Sequence, residues 1–177
     1  MNAHASLTAA VRASELPDGA LAFRAAMRKL AGAVSVLTVG QGEARTGLTA
    51  TSVTSLSVEP PTLLICVNRA ASSAAPLLKE RAFAINVLRP HHRDVADRFA
   101  GKGGLKGPER YPGADWTRLE TGAPVLADAL AAFDCELEDA IERHSHLIII
   151  GRVVASRITE SAEPLLYWAG DYRGLAL

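Results

Sequence analysis

Seven hydroxyl side chains fall within twelve residues between Thr46 and Ser57, in the stretch TGLTATSVTSLS. No lysine or glutamate interrupts them, although a strand edge facing water is normally guarded by such charges. Alanine, serine and threonine let a ligand approach backbone N–H groups closely, so the stretch reads as one wall of a groove for something flat. With a period of two, Thr49, Thr51, Ser55 and Ser57 share one face of a strand, and Ala50, Ser52 and Thr54 the other.

Three further clusters could do chemistry. In CVNRAASS, Asn68 ends an apolar strand, and Ser72 and Ser73 stand at a helix start. There they serve either as simple caps or as a phosphate seat on free N–H groups. In ERHSHLIIIGRV, His144 and His146 are two apart and face one side of a strand. A metal would need a third ligand, and no other Cys or His falls into zinc-like spacing, so a ring donor beside a ligand is the sharper reading. In PLLYWAGDYRGL, Tyr167 and Trp168 complete a wall, and Tyr172 and Arg173 follow Gly170 in a polar terminus.

The elements that must position these groups are short. Residues 20–31 predict an amphipathic helix with Leu21, Met27, Leu30 and Ala31 as its apolar stripe. A strand at 33–40, a turn at 41–44 and a returning strand at 45–56 form a hairpin. Pro60 and Pro61 break the chain, since neither can donate to a ladder. Strands follow at 62–68 and 82–88, helices at 72–80 and 90–100, and further strands near 131–142, 145–158 and 164–168. The segment 101–115 is rich in Gly, Pro and charge and lacks periodicity, which marks a mobile loop long enough to serve function. Six or seven strands without regular crossovers argue for a mainly antiparallel barrel. No GxGxxG turn or Walker loop is present, so a nucleotide-like cofactor would not bind through a Rossmann turn.

The 177 residues fit one domain at 20–177 behind a flexible arm at 1–19. Nineteen basic residues balance nineteen acidic ones, which argues against a nucleic-acid partner. No signal peptide or membrane span is visible, and Cys66 and Cys135 read as buried reduced thiols, so the expected setting is cytoplasmic.

GLTATSVTSLSVEPPTLLICVNRAASSAAPLL, FAINVL, RFAG, SHLIIIGRV and PLLYWAGDYR, taken together, resemble the flavin reductase-like family. These are the short-chain reductase components of two-component flavin-dependent monooxygenases. The T-A-T-S segment followed by P-P and C-V-N-R is the most specific part, and the likeness runs from about residue 20 to residue 175. The resemblance implies a mainly β fold, the FMN-binding split barrel: a Greek-key antiparallel barrel with a few short peripheral helices. It also implies a homodimer and an NAD(P)H:flavin oxidoreductase that reduces FMN or FAD with NADH or NADPH and feeds reduced flavin to a partner oxygenase.

On that pattern Thr49, Ala50, Thr51 and Ser52 line the isoalloxazine, and Ser55 and Asn68 reach its edge or the ribityl chain. Ser72 and Ser73 take the phosphate, and His146 stands beside the nicotinamide. Apart from that pattern, Arg173 of the polar terminus is a further candidate to bind the cofactor. The family's usual Gly-Asp-His-Thr segment is here His144-Ser145-His146, without the Gly-Asp pair. Lys102, Lys106 and Arg110 of the loop are candidates to cover the dinucleotide or touch a partner. A flavin-binding electron carrier on the same barrel is the alternative function, with an oxidase of the pyridoxamine-phosphate type behind it. No metal is implied.

Overall fold

The computed structural model describes residues 19–160 and 163–175, so the expected arm lies outside the described residues but for Gly19. Seven strands form one antiparallel sheet: β2 (Ser35–Val39), β3 (Thr46–Ala50), β4 (Thr54–Val58), β5 (Pro61–Asn68), β6 (Ala82–Val87), β9 (Ala131–Arg143) and β10 (His146–Ile158). Their order is β3-β2-β6-β9-β10-β5-β4. The outermost strands, β3 and β4, are therefore consecutive in the chain. Laid flat, seven strands would hold these edges about 29 Å apart. The four Cα–Cα steps from Ala50 to Thr54 span at most about 14 Å. The sheet must curl until its edges nearly meet, leaving a split barrel bridged by Thr51–Val53.

This geometry corrects the expectation of one returning strand at 45–56. β3 pairs with β2 and β4 pairs with β5, on opposite sides of the split. The alternation of faces stops at Ala50, and the period-two grouping of Thr49 with Ser55 and Ser57 does not survive the bend.

Every residue of β2 is buried, because both faces of that strand are covered. Leu37 and Val39 meet Ile65, Val67, Phe83 and Ile149 in one apolar cluster. Val36 faces the other cluster with Leu88, Phe99, Tyr111 and Val125. Two buried polar side chains on that second face, Thr38 and Asn86, are satisfied. Asn86 Nδ2 donates to Val36 O (3.2 Å), and its Oδ1 accepts from the Leu126 N–H (2.8 Å).

The peripheral helices are α1 (Gly19–Met27), α2 (Ala74–Glu80) and α3 (Arg93–Phe99), with α3 laid over β3. A small sheet of β1 (Gly32–Ala33), β11 (Leu166–Trp168) and β12 (Asp171–Arg173) carries the C-terminal segment, and β7 (Trp116–Arg118) pairs with β8 (Pro124–Leu126). The helix α1 ends at Met27, short of the expected residue 31, and its apolar side chains stay open: Leu21, Phe23 and Met27 are 56%, 60% and 46% exposed, no residue of the helix is buried, and Leu30 lies exposed in the turn that follows. Among the described residues no helix is long and apolar enough to cross a membrane.

Candidate functional site

A cavity of about 660 Å³ opens where the bend after β3, the end of β5, the start of β10 and the segment after α3 converge. Thr49, Ala50, Thr51, Ser52, Asn68, Ser72 and His146 all reach it. Ser73, Ser55 and Arg173 do not. Ser73 is fully buried at the start of α2, with no hydrogen-bond partner for its Oγ among the described residues. Ser55 lies in a separate, mostly apolar groove with Val58, Phe133 and Val153. Arg173 is exposed and bonded to Asp171 Oδ2 at 2.7 Å.

The hydroxyl ribbon works differently from a row of ligand contacts. Thr49 Oγ1 donates to Ala96 O (2.6 Å), tying β3 to α3. Ser52 Oγ donates to Cys66 O (3.1 Å) and accepts from the Cys66 N–H (3.2 Å), which replaces a strand rung where the ladder has ended. These hydroxyls are staples that fix the bend. Thr51, Ser52 and Val53 stand outside both ladders, so strand pairing does not consume their amide groups.

Asn68 and His146 are cross-strand partners at the mouth of the cavity. Asn68 Oδ1 accepts from the Ala70 N–H (2.9 Å), which leaves Nδ2 for a ligand. His146 Nδ1 meets Ser145 Oγ at 2.9 Å, so Nε2 is the ring nitrogen left over. His144 does not share a strand face with it. His144 and Ser145 form the two-residue turn between β9 and β10, with His144 in the left-handed region (φ +52°). His146 alone of the pair lines the cavity.

The segment read as an aperiodic loop is folded into a tight turn at Lys102–Gly104, with Gly103 in the left-handed region (φ +72°), and a 3₁₀ turn at Gly107–Arg110. Runs this short have no hydrophobic period to show in the sequence. Tyr111 pins the segment: its hydroxyl donates to Thr46 O (2.7 Å), and its ring packs edge-on against Phe99. Arg110 lines the cavity while donating to Leu105 O (3.1 Å) and Gly47 O. Burial pulls the Arg110 guanidinium below its ordinary range and pushes the Tyr111 phenol well above its own; at neutral pH the first stays charged and the second neutral. Cys66, expected to be buried, is only partly so and lines the cavity; Cys135 is buried, and its thiol is pushed up to about 12 by desolvation.

The donor set suits a flat, anionic, phosphate-bearing ligand. Among the described residues no carboxylate lines the cavity, whereas Lys106, Arg110, Asn68, Ser72 and His146 do. Ala50, Ala70 and Ala71 keep part of the wall smooth. The volume lies within the usual range of small-molecule sites, roughly 300–1,000 Å³.

A His–His–Asp group elsewhere has the composition of a metal site. The ligand atoms of His91, His92 and Asp128 lie within 4.8 Å of one another. However, His92 Nδ1 accepts from the Arg89 N–H (3.1 Å), so its proton sits on Nε2, facing Asp128 Oδ1 at 3.0 Å. A ring in this tautomer has no lone pair turned to a metal. The group is a hydrogen-bonded brace before α3.

Fold and site together define a mainly β split barrel with a groove at its seam. The family model for the flavin reductase like domain matches residues 27–176, and the chain belongs to that family. It is 46% identical over 156 residues to a chain named FMN reductase (NADH) RutF 2 of Methylorubrum extorquens strain PA1, covering 88% of this chain and 90% of that one. The structure of BorF, the flavin reductase component of a bacterial two-component tryptophan halogenase, superposes with a TM-score of 0.81 at 33% identity, over 88% of this chain and 98% of BorF. SgcE6, an NADH:FAD oxidoreductase of Streptomyces globisporus C-1027 solved with NAD and FAD fragments, gives a TM-score of 0.83 at 29% identity, over 96% of this chain and 98% of SgcE6.

Proposed function

We propose that this chain is an NAD(P)H:flavin oxidoreductase that binds FMN or FAD in the cavity at the barrel seam and passes reduced flavin to a separate oxygenase. The observation that carries the reading is the convergence of the bend, Asn68, Ser72 and His146 on a cavity whose described lining holds no carboxylate. The names of the RutF relatives favour FMN with NADH, and the name of SgcE6 keeps FAD open. The oxygenase partner is supported by the names of BorF and of the styrene monooxygenase flavin reductase of Pseudomonas putida S12.

A flavin bound there supplies the hydride-accepting chemistry, and no protein nucleophile is called for. The chain's own contribution is placement and charge. The amides of Thr51 and Ser52 offer donors to negative charge at a ring edge, preorganised because Ser52 Oγ anchors the bend. Asn68 Nδ2 offers a donor to polar groups along the ligand's edge, and Ser72 offers a hydroxyl to its phosphate. His146 Nε2, at the mouth, would orient a nicotinamide entering beside the flavin. A second copy of the chain supplies the cover that the exposed face of α1 lacks, making a homodimer.

Initial rates over the four combinations of FMN or FAD with NADH or NADPH test the proposal. Sustained consumption at the nicotinamide band is expected with at least one pair. A single stoichiometric bleach would make the protein an electron carrier, and no flavin binding at all would remove the reading. Light scattering on the eluted protein tests the dimer.

A further inference from the structure

The brace ahead of α3 places a titratable ring where a helix start ordinarily uses an amide or a carboxylate. In a capping box the residue three places after the cap, Glu or Gln, accepts a hydrogen bond from the cap's own N–H. Here that acceptor is His92: its Nδ1 takes the Arg89 N–H at 3.1 Å, while the His92 N–H returns to Arg89 O at 2.9 Å. Glutamine can make the same bond at any pH, whereas imidazole makes it only while Nδ1 is unprotonated.

The chain leads from this ring to the cavity. α3 begins at the next residue, and its buried side chains, Val95, Ala96 and Phe99, belong to a helix laid over β3. Ala96 lies about one helical turn beyond His92. Its carbonyl accepts the Thr49 hydroxyl at 2.6 Å, and Phe99 and Ala100 line the cavity together with Thr49.

Charged groups face the ring from two elements. Asp128, in the turn after β8, meets His92 Nε2 at 3.0 Å and favours a charged ring. That carboxylate is shared with His91 Nε2 (2.9 Å) and with Arg89 Nη1 (3.9 Å), both from the ring's own turn. Burial opposes the charge most strongly, His91 and Arg89 add to it, and together they outweigh Asp128 and hold the ring below its ordinary 6.5. The closed arrangement is therefore favoured above pH 6.5 and is lost as the pH falls. We infer that the His92–Asp128 pair positions the Thr49 wall of the cavity, and does so only while His92 is neutral, so that ligand affinity falls in acid. Protonation at Nδ1 turns the acceptor of the Arg89 N–H into a second donor. The entry to α3 then opens, and Ala96 O no longer holds Thr49. The inference goes beyond the flavin reading above and rests on it for the ligand.

The test compares wild type with His92→Gln, His91→Gln and Thr49→Val, each checked for folding by circular dichroism, from about pH 8 to about pH 5. Dissociation constants for FMN come from flavin fluorescence quenching without nicotinamide. They are compared as the ratio of wild type to variant at each pH, so that titration of FMN's own phosphate near pH 6 cancels. Release of one hydrogen bond corresponds to binding weaker by roughly twofold to tenfold. The ratio of wild type to His92→Gln is expected to rise by that factor between the alkaline and the acid end, whereas His91→Gln keeps the wild-type acid loss. Thr49→Val, in which α3 is no longer tied to β3, binds FMN more weakly at the alkaline end and loses little more in acid. A ratio to His92→Gln that stays flat, or a full acid loss in Thr49→Val, would overturn the inference while leaving the flavin reading standing. So would urea stability that falls in acid with FMN affinity unmoved, because the pair would then only brace the fold. Wild-type protein that binds no flavin at any pH would remove both.

Discussion

Replacing Ser52 by alanine separates a staple from a ligand contact. The substitution removes two hydrogen bonds, Ser52 Oγ to Cys66 O at 3.1 Å and Cys66 N–H to Ser52 Oγ at 3.2 Å. A net contribution of about 1 kcal/mol for each bond gives a loss of about 2 kcal/mol, since the site is only part-buried and water can reach some of the freed groups. For a chain of this length that corresponds to a melting temperature lower by about 4–8 °C. The measurement is urea unfolding of flavin-free protein, followed by fluorescence titration with FMN. The loss is expected before any flavin is added, and FMN binds more weakly because the amides of Thr51 and Ser52 are no longer held in place. A hydroxyl that only touched flavin would leave the flavin-free protein unchanged. Wild-type stability without ligand, combined with weakened FMN binding, would refute the staple.

Three other outcomes are expected. His146→Ala lowers turnover and raises the Michaelis constant for the nicotinamide while FMN affinity by fluorescence stays near wild type; unchanged kinetics would remove the orienting role. Gly47→Ala drives a methyl carbon into Leu37 O and to 2.7 Å from Phe99 Cε1, and is expected to destabilise by about 3 kcal/mol or more in urea unfolding; near-native stability would contradict the close approach of β3 to β2 and α3. Burial holds the His92 ring below its ordinary value of 6.5 despite the pull of Asp128, while the neighbouring His91 and Arg89 charges push it the same way as burial. The unfolded chain therefore takes up that proton first, so stability is present above pH 6.5 and is lost as the pH falls below it. Urea unfolding across that window shows this slope in wild type and a shallower one in His92→Gln; identical slopes would refute the assignment.

Much of the architecture was legible because it is written in local pattern. Alternation and continuous apolar runs marked β2, β5, β6, β9 and β10 nearly to their ends, and prolines and glycines marked the breaks. The motifs around Thr49–Ser52 and Asn68 fall on the wall of the candidate cavity, and the family match and the solved structures agree with the fold that those motifs implied.

What local pattern does not encode is where the sheet's edges fall. The hydroxyl stretch has no break in its period at Thr51, yet its two halves pair with different partners across the seam, and only closure of the barrel decides that. The same closure turned the hydroxyls of Thr49 and Ser52 toward backbone groups 47 and 14 residues away, at Ala96 and Cys66, which no spacing could announce. Ser73 and Arg173 carry donor chemistry in the sequence, but the burial of one and the Asp171 pairing of the other take them from the cavity. Lys106 and Arg110 reach it because a buried tyrosine anchors an otherwise patternless segment. Residue types set which groups could bind a flat anionic ligand; long-range pairing, whose partners lie far apart in the chain, set which of them meet.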